Sequence, residues 1–267
     1  MFYYKANIQY DGSSYAGFQF QNELSTVQSD FNNSIAKIYP GKFSTTAASR
    51  TDSGVHALEQ IVKITTESEI ELTSFIEKLN TTLSSQIHCI NIELCSGDFH
   101  PSAHTTGKEY RYFFTNKTTV SDVERKFIAN ISNKLNIEVM KTCLSSLVGK
   151  HDFCNFQSAG SNVKSSTREI YICQLNEVNP HDIFRNHKLF FIPEEIQHCY
   201  ELRIEANGFL KQMIRHIVSS LWMVGTGKIS VEQFNALIDG PKSEKQLWKV
   251  APANGLFLYK IHYKHNL

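Results

Sequence analysis

The sequence predicts an α+β protein made of two ferredoxin-like halves, each ordered β-α-β-β-α-β, with mainly antiparallel sheets joined around a central cleft. Three observations point there. The N-terminal residues alternate with the period of a strand, and a helical period is the next to follow, from about Thr26. The same order of strand and helix patterns returns in the second part of the chain without obvious sequence identity. The 267 residues, 41% of them hydrophobic, are enough for one large domain or two small ones. The expected halves are residues 1–103 and 104–267.

In the first half, Tyr4, Ala6, Ile8 and Tyr10 alternate with Lys5, Asn7 and Gln9, and Asp11-Gly12 ends the strand. Ser25-Thr26-Val27-Gln28 reads as a capping box, and Val27, Phe31, Ile35 and Ile38 recur at helical spacing up to Pro40-Gly41. Strands are expected over Phe43–Ser49 and Gln60–Thr65, then a helix from Thr73 to Leu83 with Phe75, Ile76, Leu79 and Leu83 on one side. A last strand carries Ile90, Ile92 and Leu94.

The second half reads as a strand over Tyr110–Phe114, a helix over Ile137–Val148 ended by Gly149, and strands over Ile170–Leu175 and Tyr200–Ala206. A long helix then runs from about Gly208 to Val224. A second capping box, Ser230-Val231-Glu232-Gln233, opens a short helix, and Leu256–Tyr263 forms the final strand. Two polar stretches, Ser158–Ser166 and Asn179–His198, read as surface loops.

Composition narrows the chemistry. A formal charge of +1 gives no global attraction to nucleic acid, so an RNA site would have to be a local concentration of Lys and Arg. Six cysteines without a Cys-x-x-Cys pair indicate neither a zinc site nor a disulfide framework and fit a reducing cytoplasm. No run approaches the roughly 20 apolar residues of a membrane helix, and the N-terminus starts on a strand pattern, so a soluble, unexported protein is expected. With no Gly-rich phosphate loop and no His/carboxylate ligand set, a metal- or phosphate-dependent nucleotide enzyme is not indicated.

Three segments carry candidate chemistry. Arg50-Thr51-Asp52-Ser53-Gly54-Val55-His56-Ala57 crowds three ionisable side chains into one connection between apolar runs. Asp-Ser-Gly is also an ordinary turn in which Asp caps its own backbone. In Lys108-Glu109-Tyr110-Arg111-Tyr112-Phe113-Phe114, alternation puts Tyr110, Tyr112 and Phe114 on one face, suited either to core packing or, at Tyr110, to stacking on an unpaired base. On the helix from Gly208, Met213, Ile214, Ile217, Val218, Leu221 and Trp222 make an apolar stripe. Lys211, Arg215 and Ser219 share another face, as solvated groups or as cations for a phosphate or carboxylate. Arg125, Lys126, Lys150, Lys164, Arg168, Arg185 and Lys188 would supply local basic surface if they face one groove. His151-Asp152 reads as a structural or RNA-backbone pair.

Together these motifs resemble the tRNA pseudouridine synthase A family through nearly the whole chain: Tyr10-Asp11-Gly12 with Tyr15, Gly17 and Gln19; Arg50 to Ala57; Phe99; Lys108 to Tyr112; His151-Asp152-Phe153; Phe209 through Arg215; Val224 to Lys228; and Ala251-Pro252 with Gly255-Leu256. The resemblance implies the pseudouridine synthase fold, and isomerisation of uridine to pseudouridine in the anticodon stem-loop of tRNA, at positions 38–40. It implies a homodimer with no metal and no cofactor. Asp52 matches the catalytic aspartate, which attacks the sugar or base or removes a ribose proton. Arg215 matches its basic partner, which would hold the carboxylate ionised. Tyr110 matches the tyrosine that stacks on the target uracil, with Ile214 or Leu256 closing the other face, and Arg50 matches a residue that helps extrude the nucleotide. His56 is assigned to loop support or backbone contact.

Pro101-Ser102 stands where the family commonly shows Ala-Arg, which removes one expected interaction with RNA; Phe18 replaces a frequent Trp. Alternative readings are a pseudouridine synthase with another RNA target, and a non-catalytic tRNA-binding or folding protein on the same scaffold.

Overall fold

The computed structural model describes residues 1–160, 163–243 and 248–264, so residues 161 and 162 of the loop expected at 158–166 lie outside the described residues. The chain divides into two compact units. The first comprises 1–106, 184–191 and 257–267, and the second 107–183 and 192–256. Residues 104–106, 184–191 and 257–267 of the expected 104–267 half therefore group with the first unit.

The first unit is built from β1 (Phe2–Tyr10), α1 (Val27–Ile38), β2 (Phe43–Ala47), β3 (His56–Thr66), α2 (Leu72–Thr82) and β4 (Ile87–Leu94). β1 pairs antiparallel with both β3 and β4, and β2 pairs antiparallel with β3, giving the ferredoxin-like order β4-β1-β3-β2. Alternation sends Tyr4, Ala6, Ile8 and Tyr10 into the core, all with no exposed surface. Phe31 and Ile35 of α1 and Phe75 and Leu79 of α2 are buried as well. The α1 cap is Thr26 with Ser29, one residue on from the expected start. Gln28 is thereby freed to bond Gln19 and the backbone of Phe20. In β4, Asn7 faces Asn91 while Ile8 faces Cys89, so Ile90 is an extra, bulged residue. The bulge inverts the phase, and Ile87, Cys89 and Ile92 face inward while Ile90 and Leu94 face solvent.

The free edge of β3 is shared: residues 62–66 take β2, and His56 and Ala57 pair parallel with Phe257 and Leu258 of the C-terminal strand. The 184–191 segment also joins this unit. It is no surface loop: Phe184 and Phe190 are buried, with ring centroids 5.1 and 5.3 Å from Phe257. Burial of an aromatic needs a distant partner, and here that partner is a strand far along the chain, invisible to local polarity.

The second unit contains β5 (Thr105–Thr115), α3 (Asp122–Phe127), β6 (Ala129–Asn130), α4 (Ile137–Thr142), α5 (Leu144–Leu147), β7 (Gly149–Asp152), β8 (Thr167–Val178), α6 (Pro180–Phe184), β9 (Cys199–Ala206), α7 (Met213–Gly225) and α8 (Val231–Asn235); β10 (Leu256–Tyr263) follows. β5, β9, β8 and β7 pair antiparallel in that order, and β6 adds a short parallel edge to β5. Trp222 of α7 packs on Tyr112 and Phe114 of β5. The helix expected over 137–148 is two pieces joined at Cys143. α7 starts at Met213 rather than near Gly208, because its cap Gln212 is left-handed, with φ of 60°. The capping box Ser230/Gln233 forms as the sequence reads. No helix among the described residues is long and apolar enough to cross a membrane.

Candidate active site

In the first unit, Arg50 and Asp52 stand on the connection between β2 and β3. The Asp52 carbonyl accepts from the Val55 N–H at 3.2 Å, closing a turn whose third residue, Gly54, has φ of +76°. A buried polar lattice grips this turn. Tyr10 Oη lies 2.8 Å from Thr51 Oγ1, the Phe18 N–H donates to the Thr51 carbonyl, and the Gly54 N–H and Ser53 hydroxyl both donate to the Tyr15 carbonyl. Tyr15 is itself fixed by its hydroxyl, which donates to Asp30 at 2.6 Å and lies 2.7 Å from Ser84 Oγ; burial and then Asp30 push its pKa upward.

Two glycines make this approach possible. A Cβ on Gly12 would lie 2.0 Å from the Val55 carbonyl oxygen, and Gly17, at φ +109°, backs onto the Thr51 carbonyl. His56, with no exposed surface, follows the turn as the first residue of β3. Its Nδ1 receives the Gly12 N–H at 3.1 Å and lies 3.2 Å from Asp11 Oδ1. Its ring stacks on Phe257 at 4.6 Å and meets Phe190 edge-on at 6.0 Å. The turn is thus clamped from the Asp11–Phe18 loop and, through His56, from the 184–191 segment. Arg50 is exposed and Asp52 half-buried.

In the second unit, Tyr110 is buried on β5, paired with Ile204 and edge-on to Phe209 at 5.2 Å. Two residues earlier on the same face, half-buried Lys108 has its ammonium pKa pushed down to about 8 by burial. The sequence placed Lys108 at the head of this candidate segment without a role, and the strand's alternation puts it on the Tyr110 face. Ile214 and Arg215 lie in the first turn of α7. Arg215 Nε donates to the Ala251 carbonyl at 2.6 Å while the Ala251 N–H returns to the Arg215 carbonyl at 3.3 Å. The fully buried Tyr112 hydroxyl donates to the next carbonyl, Pro252, at 2.8 Å. Ala251-Pro252 is therefore a backbone clasp on the arginine. Leu256, buried, begins β10 four residues on.

His216, beside Arg215, is fully buried, and burial, with Arg215 second, pushes its pKa down to about 4. The Trp248 indole N–H points at its Nδ1 at 3.3 Å, so the ring proton sits on Nε2, 2.8 Å from Ser158 Oγ, which donates in turn to Gln212. His151 is held by Asp239 at 2.6 Å, the pair tying β7 to the turn after α8. The structure thus groups Arg50 with Asp52 in one unit, and Tyr110, Ile214, Arg215 and Leu256 in the other.

The first unit presents a clamped acidic turn, and the second presents a buried tyrosine and a clasped arginine. The family model for tRNA pseudouridine synthase matches residues 6–100 and 144–264, and the chain belongs to that family of isomerases. Curated relatives named tRNA pseudouridine synthase A include proteins of Latilactobacillus sakei (31% identical, 98% of each chain), Ruminiclostridium cellulolyticum (32%, 97% of this chain and 98% of the relative) and Clostridium botulinum (35%, 97% and 98%).

Proposed function

We propose that this chain isomerises uridine to pseudouridine in the anticodon stem-loop of tRNA, at positions 38–40. The observation that carries the reading is the Asp52 turn, held by four hydrogen bonds to Thr51, Ser53 and Gly54 on a family-matched segment. An aspartate used only to cap its own turn would not need so built a mount. In the reaction the N1–C1′ bond breaks, the C5–C1′ bond forms, C5 gives up a proton and N1 gains one. The Asp52 carboxylate is the reactive group, as nucleophile or as ribose base, and both roles need it ionised. Arg215 supplies the cation and Tyr110 the stacking plane and the acceptor for the C5 proton. Ile214 and Leu256 supply the opposing apolar surface, and Arg50 takes the place of the extruded nucleotide. Burying the base offsets part of an unstacking cost of a few kcal/mol.

The protein acts as a homodimer in the cytoplasm. Six free thiols suit a reducing compartment, and light scattering that shows only monomer at working concentration removes the dimer. The activity is tested by incubating the protein with unmodified tRNA and mapping pseudouridine by carbodiimide chemistry. Signal at 38–40 from the wild type and none from Asp52→Asn is the expected result. Signal confined to other positions overturns the substrate assignment. Silence across a range of tRNAs leaves only a binding protein.

A further inference from the structure

A cavity of about 400 Å³ opens within the second unit along α7, lined among others by Asn133, Ser219, Trp222, Lys228, Trp248 and Lys249. Its volume falls in the range of about 300–1,000 Å³ typical of small-ligand sites. We infer that it is a subsite for the nucleotide next to the target uridine, with the base on Trp248 and the flanking phosphates on Lys228 and Lys249. The inference rests on the isomerase reading above and extends it from the reacting residue to its neighbour in the RNA.

Four features carry it. First, among the described residues the cavity is lined by two lysines and no acidic side chain, and neither lysine has a carboxylate partner among them, though both are exposed. A phosphate is the ligand that such a pair attracts. Second, it offers indole surface. Trp248 is half-buried, with one edge tied to His216 and its ring tilted against Phe156 at 6.1 Å, which holds the remainder at the cavity wall. Aromatic planes next to lysines are how single-stranded bases are held.

Third, Trp222, which lines the same cavity, is 8% exposed, and its indole N–H has no acceptor among the described residues. Fourth, two residues of the cavity wall neighbour or hold the candidate arginine. Ser219 lies one turn beyond Arg215 on the same face of α7, about 6 Å along the axis. Ala251, whose backbone clasps Arg215 in both directions, is part of the cavity wall. An occupant of the cavity therefore bears on the segment that aims the arginine, and sits beside rather than on the reacting residue.

The test uses the full chain and unmodified tRNA. The double variant Lys228→Glu/Lys249→Glu is expected to raise the tRNA Kd about tenfold or more. It should also make log Kd against log salt shallower by about 0.7 for each single-strand phosphate that the variant no longer neutralises. Lys78→Glu, an exposed change on α2, is expected to behave as wild type. 2-Aminopurine placed next to the target uridine should be quenched on binding, and less so in Trp248→Leu. Unchanged affinity of the double variant, with wild type and Lys78→Glu active, overturns the subsite and leaves the isomerase reading standing. Weakened affinity with 2-aminopurine fluorescence unaltered in wild type overturns the base assignment. Absence of pseudouridine with wild type overturns the isomerase reading itself.

Discussion

Gly12→Ala tests whether the mount of Asp52, rather than the carboxylate alone, carries activity. The new methyl would sit 2.0 Å from the Val55 carbonyl oxygen and 2.6 Å from its carbon, whereas ordinary van der Waals approach begins near 3.4 Å. The obstacle is backbone, so no rotamer relieves it, and one of the two segments must move by about 1.4 Å. Val55 closes the Asp52 turn through its N–H, and Gly12 donates to His56, so either movement is passed to the carboxylate. Overpacking of this kind costs about 1–3 kcal/mol of stability. A misplacement near 1 Å at a reacting group costs about 100-fold in rate. Single-turnover pseudouridine formation at saturating tRNA should therefore fall about 100-fold while the protein still unfolds cooperatively a few degrees lower. Gly107→Ala, whose added methyl would meet neighbours at 3.4–3.5 Å, should lose little. A Gly12→Ala protein turning over within about threefold of wild type would refute the reasoning.

Two further outcomes follow from packing and charge. Phe190→Ala should cost about 3–5 kcal/mol by urea unfolding, because the ring is 1% exposed against Phe257, Phe184 and His56; a loss under about 0.5 kcal/mol would mean the segment is a surface loop after all. Acid should weaken the fold through His216. Its folded pKa of about 4 lies below the 6.5 of the unfolded chain, so between these values the unfolded state holds more protons and stability rises with pH. The contribution, at most about 3 kcal/mol, is complete above pH 6.5 and gone below pH 4. Protonation at Nδ1 would also set two donors, the ring and the Trp248 indole, against each other. A His216→Gln protein whose melting temperature depends on pH between 4 and 7 as steeply as wild type would contradict this.

Element type was legible because short-range periodicity reports which side of a strand or helix is buried. Tyr4 to Tyr10, the Ser230 capping box and the strand from Leu256 to Tyr263 were all readable from neighbouring residues. Phase within β4 was not, because the bulge at Ile90 exists only through its pairing with β1. The start of α7 was missed for a related reason. Gly208 offered a plausible break, but the left-handed residue is Gln212, held in place by Ser158.

By itself the sequence determined the family, through residue types in a characteristic order, and within that order an Asp-Ser-Gly turn, a strand tyrosine and a helix arginine stood out as candidates. These are properties of residue type and spacing, which need no third dimension. Tertiary structure decided how those groups are held. Gly12 and Gly17 matter because two backbones pass close together, Ala251 matters because its peptide group clasps Arg215 from both sides, and 184–191 matters because Phe257 gives its aromatics somewhere to be buried. Each joins residues tens of positions apart through backbone groups or shape, and neither backbone groups nor shape differ in the one-letter sequence.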